Sequence, residues 1–274
     1  MSQSIGGKYR CEAASIEGLV QQVVSSYLGR AKCFLYVTGT VSPRLNACEH
    51  DRRILRKYDL NISRFVRSRR KKLGIAPAHY IRYKDFWLLM CGATGRHRFF
   101  AENSVVDSDS GIVSPLYNDV RKTPIKFWFN WRNERLAYAI GYSGEKARVR
   151  IERQSYLNLK AYFLEIATRR SVEQLVDEFW QLPFEPYGGV KYQFFCILRA
   201  VNRARKVAGI KSGPVPPEAI PWKRKRLRIF CPDAPPVDNT VSVLTERHNA
   251  HEEFTQQGIP ASTEVTHTAY SSSD

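Results

Sequence analysis

Apolar residues recur along this chain with two periods. Ile16, Leu19, Val20, Val23, Val24 and Tyr27 follow i, i+3, i+4, i+7, i+8 and i+11, the stripe of one helix face. Ser15 stands at the cap position and Gly29 at the stop. Cys33 to Val41, dense in β-branched and aromatic residues, reads as a buried strand ended by Ser42-Pro43. Residues 49–58 form a short helix with Ile54 and Leu55 inward and Arg52, Arg53, Arg56 and Lys57 outward. A second short helix runs from an Asn61 cap to a Gly74 stop. Its Ile62, Phe65, Val66 and Leu73 fall at helical spacing and give it a face that packs. Two apolar runs, 80–83 and 86–91, make a hairpin around Lys84-Asp85, and Gly95-Arg-His-Arg-Phe-Phe100 closes the stretch.

Residues 101–123 are polar, with few apolar positions at any period, and read as a mobile loop. Residues 125–131 and 136–142 form a second hairpin around Asn133-Glu134. Ala147, Val149 and Ile151 alternate with Arg148, Arg150 and Glu152, giving a half-exposed strand with a basic outer side. From Ser155 the period lengthens. Tyr156, Leu159, Tyr162, Phe163 and Ile166 mark one helix, and a Ser171/Gln174 capping box opens the next. Val190, Phe194, Ile197, Leu198 and Val201 mark a third. Strands followed by a run of helices predict an α+β fold. The expectation is an antiparallel sheet of about five to six strands with basic helices on one face, then a three-helix segment and a disordered tail. The corresponding division is a basic α+β domain over 1–153, a helical segment over 154–210 packed on or beside it, a Pro-rich basic linker or arm over 211–236, and a disordered acidic tail over 237–274.

Charge changes this picture most. The chain has 43 Lys and Arg against 26 Asp and Glu. From Cys231 onward seven acids stand against one base, so residues 1–230 carry 42 bases and 19 acids, a net charge of +23. That excess favours nucleic acid or an anionic membrane as partner. At 274 residues with 43% hydrophobic content the chain can still bury a sizeable core. Six cysteines without a C-x-x-C pair exclude a zinc ribbon and suit plain thiols in a reducing compartment. The N-terminus lacks the apolar core of a signal peptide, and no apolar run approaches the ~20 residues of a membrane span. The expected location is cytoplasmic, or nuclear in a source with a nucleus.

The candidate contacts follow from where bases cluster. No acid lies between Leu60 and Lys84, and Arg64, Arg67, Arg69, Arg70, Lys71 and Lys72 crowd one short helix. Arg96 and Arg98 flank His97. Lys126, Arg148 and Arg150 belong to the outer side of the later strands, where Trp128 either lies exposed to stack a base or packs within a sheet covered on both faces. Lys223, Arg224, Lys225 and Arg226 follow Trp222 in a short basic run similar to a nuclear localisation signal or a groove-binding arm. The leading reading is a nucleic-acid-binding protein, DNA favoured, without chemistry or cofactor of its own. A module for anionic membrane or for protein partners is a further alternative.

The order of a Phe-Leu-Tyr-Val-Thr strand, basic helices, a hairpin ending at Gly95-Arg-His-Arg-Phe-Phe, and a helix with tyrosines and a lysine resembles the HUH single-strand endonucleases. These are replication initiators, relaxases and transposases of plasmids and mobile elements. The resemblance implies a metal-dependent nicking or strand-transfer enzyme. His97 would stand on the metal side, with Mg or Mn as cofactor, and Tyr156 or Tyr162 would be the nucleophile. Lys160, one turn after Tyr156, would stabilise the charge that develops. Phe99 occupies the place of the family's second histidine, and His79 is the other imidazole in the stretch. No Walker loop, G-x-G-x-x-G, H-E-x-x-H or G-x-S-x-G is present.

Overall fold

The computed structural model describes residues 9–106, 113–223 and 227–231. The tail at 237–274 and the basic positions Arg224, Lys225 and Arg226 lie outside them. The first helix, α1 (Ile16–Gln22), takes its cap from the Ser15 hydroxyl, which accepts from the Gly18 N–H. It does not stop at Gly29. It widens into a π-helical stretch over Val23–Arg30, which carries Arg30 to the edge of β1 (Cys33–Thr40). Next come α2 (Ala47–Lys57) and α3 (Arg64–Lys72), capped by the side chains of Asn46 and Ser63. The cap of α3 is therefore Ser63 rather than Asn61.

The hairpin of β2 (Ala78–Tyr83) and β3 (Phe86–Gly92) turns at Lys84, whose φ is 54°. The region expected as a loop holds α4 (Arg98–Glu102), β4 (Ser104–Val106), β5 (Val113–Pro115) and β6 (Asn118–Asp119). Its elements are too short to show a period, so pattern reading misses them. Then come β7 (Ile125–Trp131), β8 (Glu134–Ser143) and β9 (Lys146–Ile151). The helices α5 (Arg153–Ile166), α6 (Val172–Trp180) and α7 (Gly188–Val207) end the regular part. The Ser171/Gln174 capping box is formed.

The fold is α+β. Its strands divide among three antiparallel sheets, ordered β2-β3-β1-β6, β4-β5 and β7-β8-β9. Two separate apolar cores explain why one continuous sheet does not form. The larger holds Leu19, Val23, Met90, Tyr138, Phe163 and Phe194, so α1, the hairpin strands and all three C-terminal helices contribute to one interior. The smaller lies on the other face of the four-stranded sheet, where Leu35, Tyr80, Leu89 and Cys91 meet Ile54, Leu55 and Tyr58 of α2, together with Leu60 and Phe99. Buried Asp51 fixes α2 there: it accepts from the Tyr80 hydroxyl at 2.6 Å and from Arg82 Nε at 3.0 Å. Arg82 also pairs with Glu12 at 3.0 Å. On the far side, Arg205 of α7 donates to the carbonyls of Ala167 and Arg170, tying α7 to the end of α5. All six cysteines are free thiols.

Candidate polyanion-binding pocket

The helix α3 buries none of its residues. Its apolar positions do not pack as their spacing predicts: Phe65 is 86% exposed and Leu73 67%. The reason is geometric. At about 100° per residue, Phe65, Val66, Arg69 and Leu73 share one side, and Arg64, Arg67, Arg70 and Lys71 share the opposite side. It is this cationic side that turns toward the body of the protein. The smaller core is already closed by α2 and Leu60, and no residue of α3 belongs to it.

Instead α3 is held at its ends. Ser63 Oγ accepts from the Val66 N–H at 3.3 Å. Arg70 donates to the Asp59 carbonyl at 3.0 Å and pairs with the Asp59 carboxylate. After Gly74, in the left-handed region at φ 70°, the chain runs beside the 95–97 turn. The Arg96 N–H donates to Gly74 O at 3.0 Å, and the Ala76 N–H to Arg96 O at 3.1 Å. Gly95 is required at this crossing, because a Cβ there would lie 2.5 Å from Gly74 O and its φ is 104°. Arg96, His97 and Arg98 are thereby fixed against the C-terminal end of α3.

Between α3 and the sheet lies a cavity of about 280 Å³. Arg64, Arg67, Arg70 and Lys71 line it from the helix and Arg30 from the π-helical end, with Asp59 the one carboxylate among the described residues. Leu60, Ile62, Ile75, Ala76, Pro77 and Ala78 supply apolar wall. Two imidazoles, His79 and His97, also line it. His79 stacks on Tyr27, with ring centroids 4.7 Å apart, and burial with the nearby Arg67 charge pushes its pKa down to about 4. His97 is lowered by burial and then by Arg70. As N-cap of α4 its Nδ1 accepts from the Phe99 N–H at 3.0 Å, so in the neutral ring the proton sits on Nε2. The pocket thus offers neutral imidazoles beneath a strongly cationic side. Tyr27 is no activated phenol: its hydroxyl donates to Tyr80 O at 3.3 Å, and burial raises its pKa well above 10.

No protein-family model, curated protein or solved structure matches this chain.

The remaining sequence candidates lie elsewhere. Tyr162 donates to Glu178 at 3.0 Å, and Glu178 is also bound by Arg132 at 2.7 Å and Arg170 at 3.1 Å. Burial and that bond raise the Tyr162 pKa. Tyr156 and Lys160 sit half-buried on α5, and burial raises the Tyr156 pKa. None of the three lines the pocket that holds His97. Among the described residues no group of three or more His, Cys, Asp or Glu is placed to hold a metal ion. The pocket residues therefore do not fit the ligand set that the HUH resemblance implies. Arg69 and Lys72 are exposed on α3, and Lys223 is exposed beyond α7.

Lys126 and Trp128 of β7 and Arg148 and Arg150 of β9 share the outer face of the three-stranded sheet, which backs on the larger core. Trp128 is 40% exposed, so the sheet is open there rather than covered on both faces. Its ring is flanked by Lys126 and by Arg135, whose guanidinium lies 4.9 Å from the ring centroid. Lys126 is paired with Glu152 at 3.0 Å. Sequence reading missed Arg30, Asp59 and Ser68 as pocket residues. Arg30 reaches the pocket only because the first helix widens and lengthens past Gly29, for which the apolar period carries no signal.

Proposed function

We propose that the protein binds nucleic acid through α3 and the pocket beneath it. One observation carries this reading: six cations stand on a nine-residue helix, and among the described residues only Arg70 of the six is ion-paired. Arg82 and Arg132, which hold the fold together, have carboxylate partners. The other five α3 cations have no carboxylate partner among the described residues, which suits a counter-charge supplied by a bound polyanion. Arg96 and Arg98 extend the same surface. The test is salt dependence. If four single-strand phosphates are neutralised, affinity falls with a log–log slope of about −2.8, roughly fifty-fold between 50 and 200 mM salt. Affinity that stays flat over that range overturns the reading.

A nicking enzyme is the weaker alternative, because the hydroxyl of Tyr162 is committed to Glu178 and the three α5 residues stand apart from the histidine pocket. A second reading is favoured by the outward side of α3, where Phe65, Val66 and Leu73 are exposed beside Arg69 and Lys72. That pattern suits an anionic bilayer surface. Among the described residues no helix is long and apolar enough to cross a membrane. Flotation with phosphatidylserine vesicles, compared between wild type and Phe65→Ser with Leu73→Ser, tests this second reading.

A further inference from the structure

We propose that the pocket under α3 takes one nucleotide bearing a terminal phosphomonoester, the phosphorylated end of a nucleic-acid strand. This rests on the nucleic-acid reading of α3 and adds to it which part of the polymer is recognised.

Size argues first. A cavity of about 280 Å³ lies at the lower edge of small-molecule sites, so it holds a single nucleotide and excludes a duplex. Charge argues next. A phosphodiester carries one negative charge, whereas a phosphomonoester carries about −1.5 to −2 at neutral pH. The pocket presents Arg30, Arg64, Arg67, Arg70 and Lys71 against Asp59 alone, an excess that a single diester leaves largely unmatched. Guanidinium forks suit the three oxygens of a terminal phosphate.

The apolar part argues third. Inorganic phosphate would engage the cations and leave Leu60, Ile62, Ile75 and Pro77 against water. A sugar and base attached to the phosphate cover that wall. His97, with Nδ1 occupied by the Phe99 N–H, presents Nε2–H as a donor at the same pocket. The pocket therefore has a cationic side for the phosphate, an apolar side for the nucleoside, and a neutral donor between classes of contact that bare anion binding does not need. A free mononucleotide has the same chemistry, so the assay separates the two sources.

The experiment is fluorescence anisotropy of the full chain with single-stranded 12-mers ending in 5′-phosphate, 3′-phosphate or hydroxyl at both ends, with AMP as competitor. We expect at least one phosphorylated end to bind about tenfold or more tightly than the hydroxyl-ended strand. The variant Ser68→Trp places a bulky ring at an exposed, pocket-lining position of α3 without removing a cation. It should abolish that preference, bringing phosphorylated and hydroxyl-ended strands to the same affinity. His97→Asn keeps an acceptor for the Phe99 N–H and should weaken the preference in part. Equal binding of all three strands with a steep salt slope overturns the pocket proposal and leaves the α3 reading standing. AMP binding without strand binding supports the pocket, assigns it to a free nucleotide, and overturns the strand reading. A preference that survives Ser68→Trp unchanged places end recognition outside the pocket and overturns the proposal.

Discussion

The molecule has two cationic regions that look alike in sequence and differ in physics. Around α3, cations surround a concavity, and one carboxylate, Asp59, serves the whole lining. Around the three-stranded sheet and its β7–β8 turn, several cations are already engaged, although Arg148 and Arg150 of β9 have no ion pair among the described residues. Lys126 holds Glu152, and Arg132 and Arg170 share Glu178. The Trp128 ring is flanked by Lys126 and Arg135. A charge whose field is cancelled within a few ångströms does little for a distant phosphate. A charge without a partner keeps its field for a ligand. Counts of Lys and Arg locate basic segments, while their pairing decides which segment is available.

Reversing charge in each region separates the two. Arg64→Glu, Arg67→Glu and Lys71→Glu together should lower single-strand affinity about a thousandfold, ~4 kcal/mol. The parallel triple change, Lys126→Glu, Arg148→Glu and Arg150→Glu, should cost less than tenfold. Anisotropy at one fixed salt concentration compares them directly, and equal losses would show that both regions act as one surface. These α3 positions are exposed, so the fold should tolerate the changes.

Next in size is an effect on folding alone. Glu178→Ala leaves Arg132, Arg170 and the Tyr162 hydroxyl without their shared acceptor. Breaking a fully buried pair costs about 3–5 kcal/mol. Here the two arginines are 40% and 42% exposed, so water takes up part of the loss and we expect about 2–3 kcal/mol. Urea titration reads this from the midpoint. Affinity for nucleic acid should not change. A fall in affinity with stability intact would move Arg132 and Arg170 into the binding surface.

The contrast was only partly legible in the sequence. The strands that build the cores were readable as short runs of apolar and aromatic residues, and Tyr80, Leu89, Phe127 and Tyr138 within those runs are fully buried. The α3 helix itself was readable, but its orientation was not. Apolar spacing at Phe65, Val66 and Leu73 says that a stripe exists, not that a core has room for it. Pairing was legible only for close neighbours such as Arg53 with Glu49. Lys126 with Glu152 and Arg132 with Glu178 join residues far apart in the chain, and only the fold brings them together. The pocket was invisible for the same reason: Arg30, Asp59, His79 and His97 arrive from four separate segments.

The two histidines give the α3 region a pH response in the range between acid and neutral. The His79 pKa is pushed from 6.5 to about 4 by burial and by Arg67. Between those values the unfolded chain holds more protons at this site than the folded chain, so stability rises with pH there. The contribution is complete above about pH 6.5 and is lost as pH falls toward 4. Asp51 and Tyr80 lie on the same sheet and α2 side, so the slope must be assigned by substitution. His79→Phe keeps a ring against Tyr27 and removes the titration. It should flatten the stability profile between pH 4 and 6.5 by about 1–2 kcal/mol relative to wild type. Superimposable wild-type and variant profiles from denaturant titrations would exclude His79 as the source.

The smallest expected effect lies in the sheet region and sets its limit. Among the described residues of that sheet, Trp128 is the large aromatic left exposed, at 40%. Stacking one base on an aromatic ring is worth about 1–3 kcal/mol where the ring is an open platform. Here Arg135 lies 4.9 Å from the ring centroid and Lys126 5.9 Å, so a base must displace a cation–π contact worth about 0.5–1 kcal/mol at an exposed site. The net gain is therefore small, and Trp128→Ala should change single-strand affinity by less than about threefold. Tryptophan fluorescence cannot isolate this residue among five, so the readout is anisotropy of a labelled oligonucleotide. A loss above tenfold would mean that the cations leave the ring on binding and contact phosphate themselves. The sheet would then be a second half of the interface, and the pairing seen in the free protein would be a resting state rather than a limit.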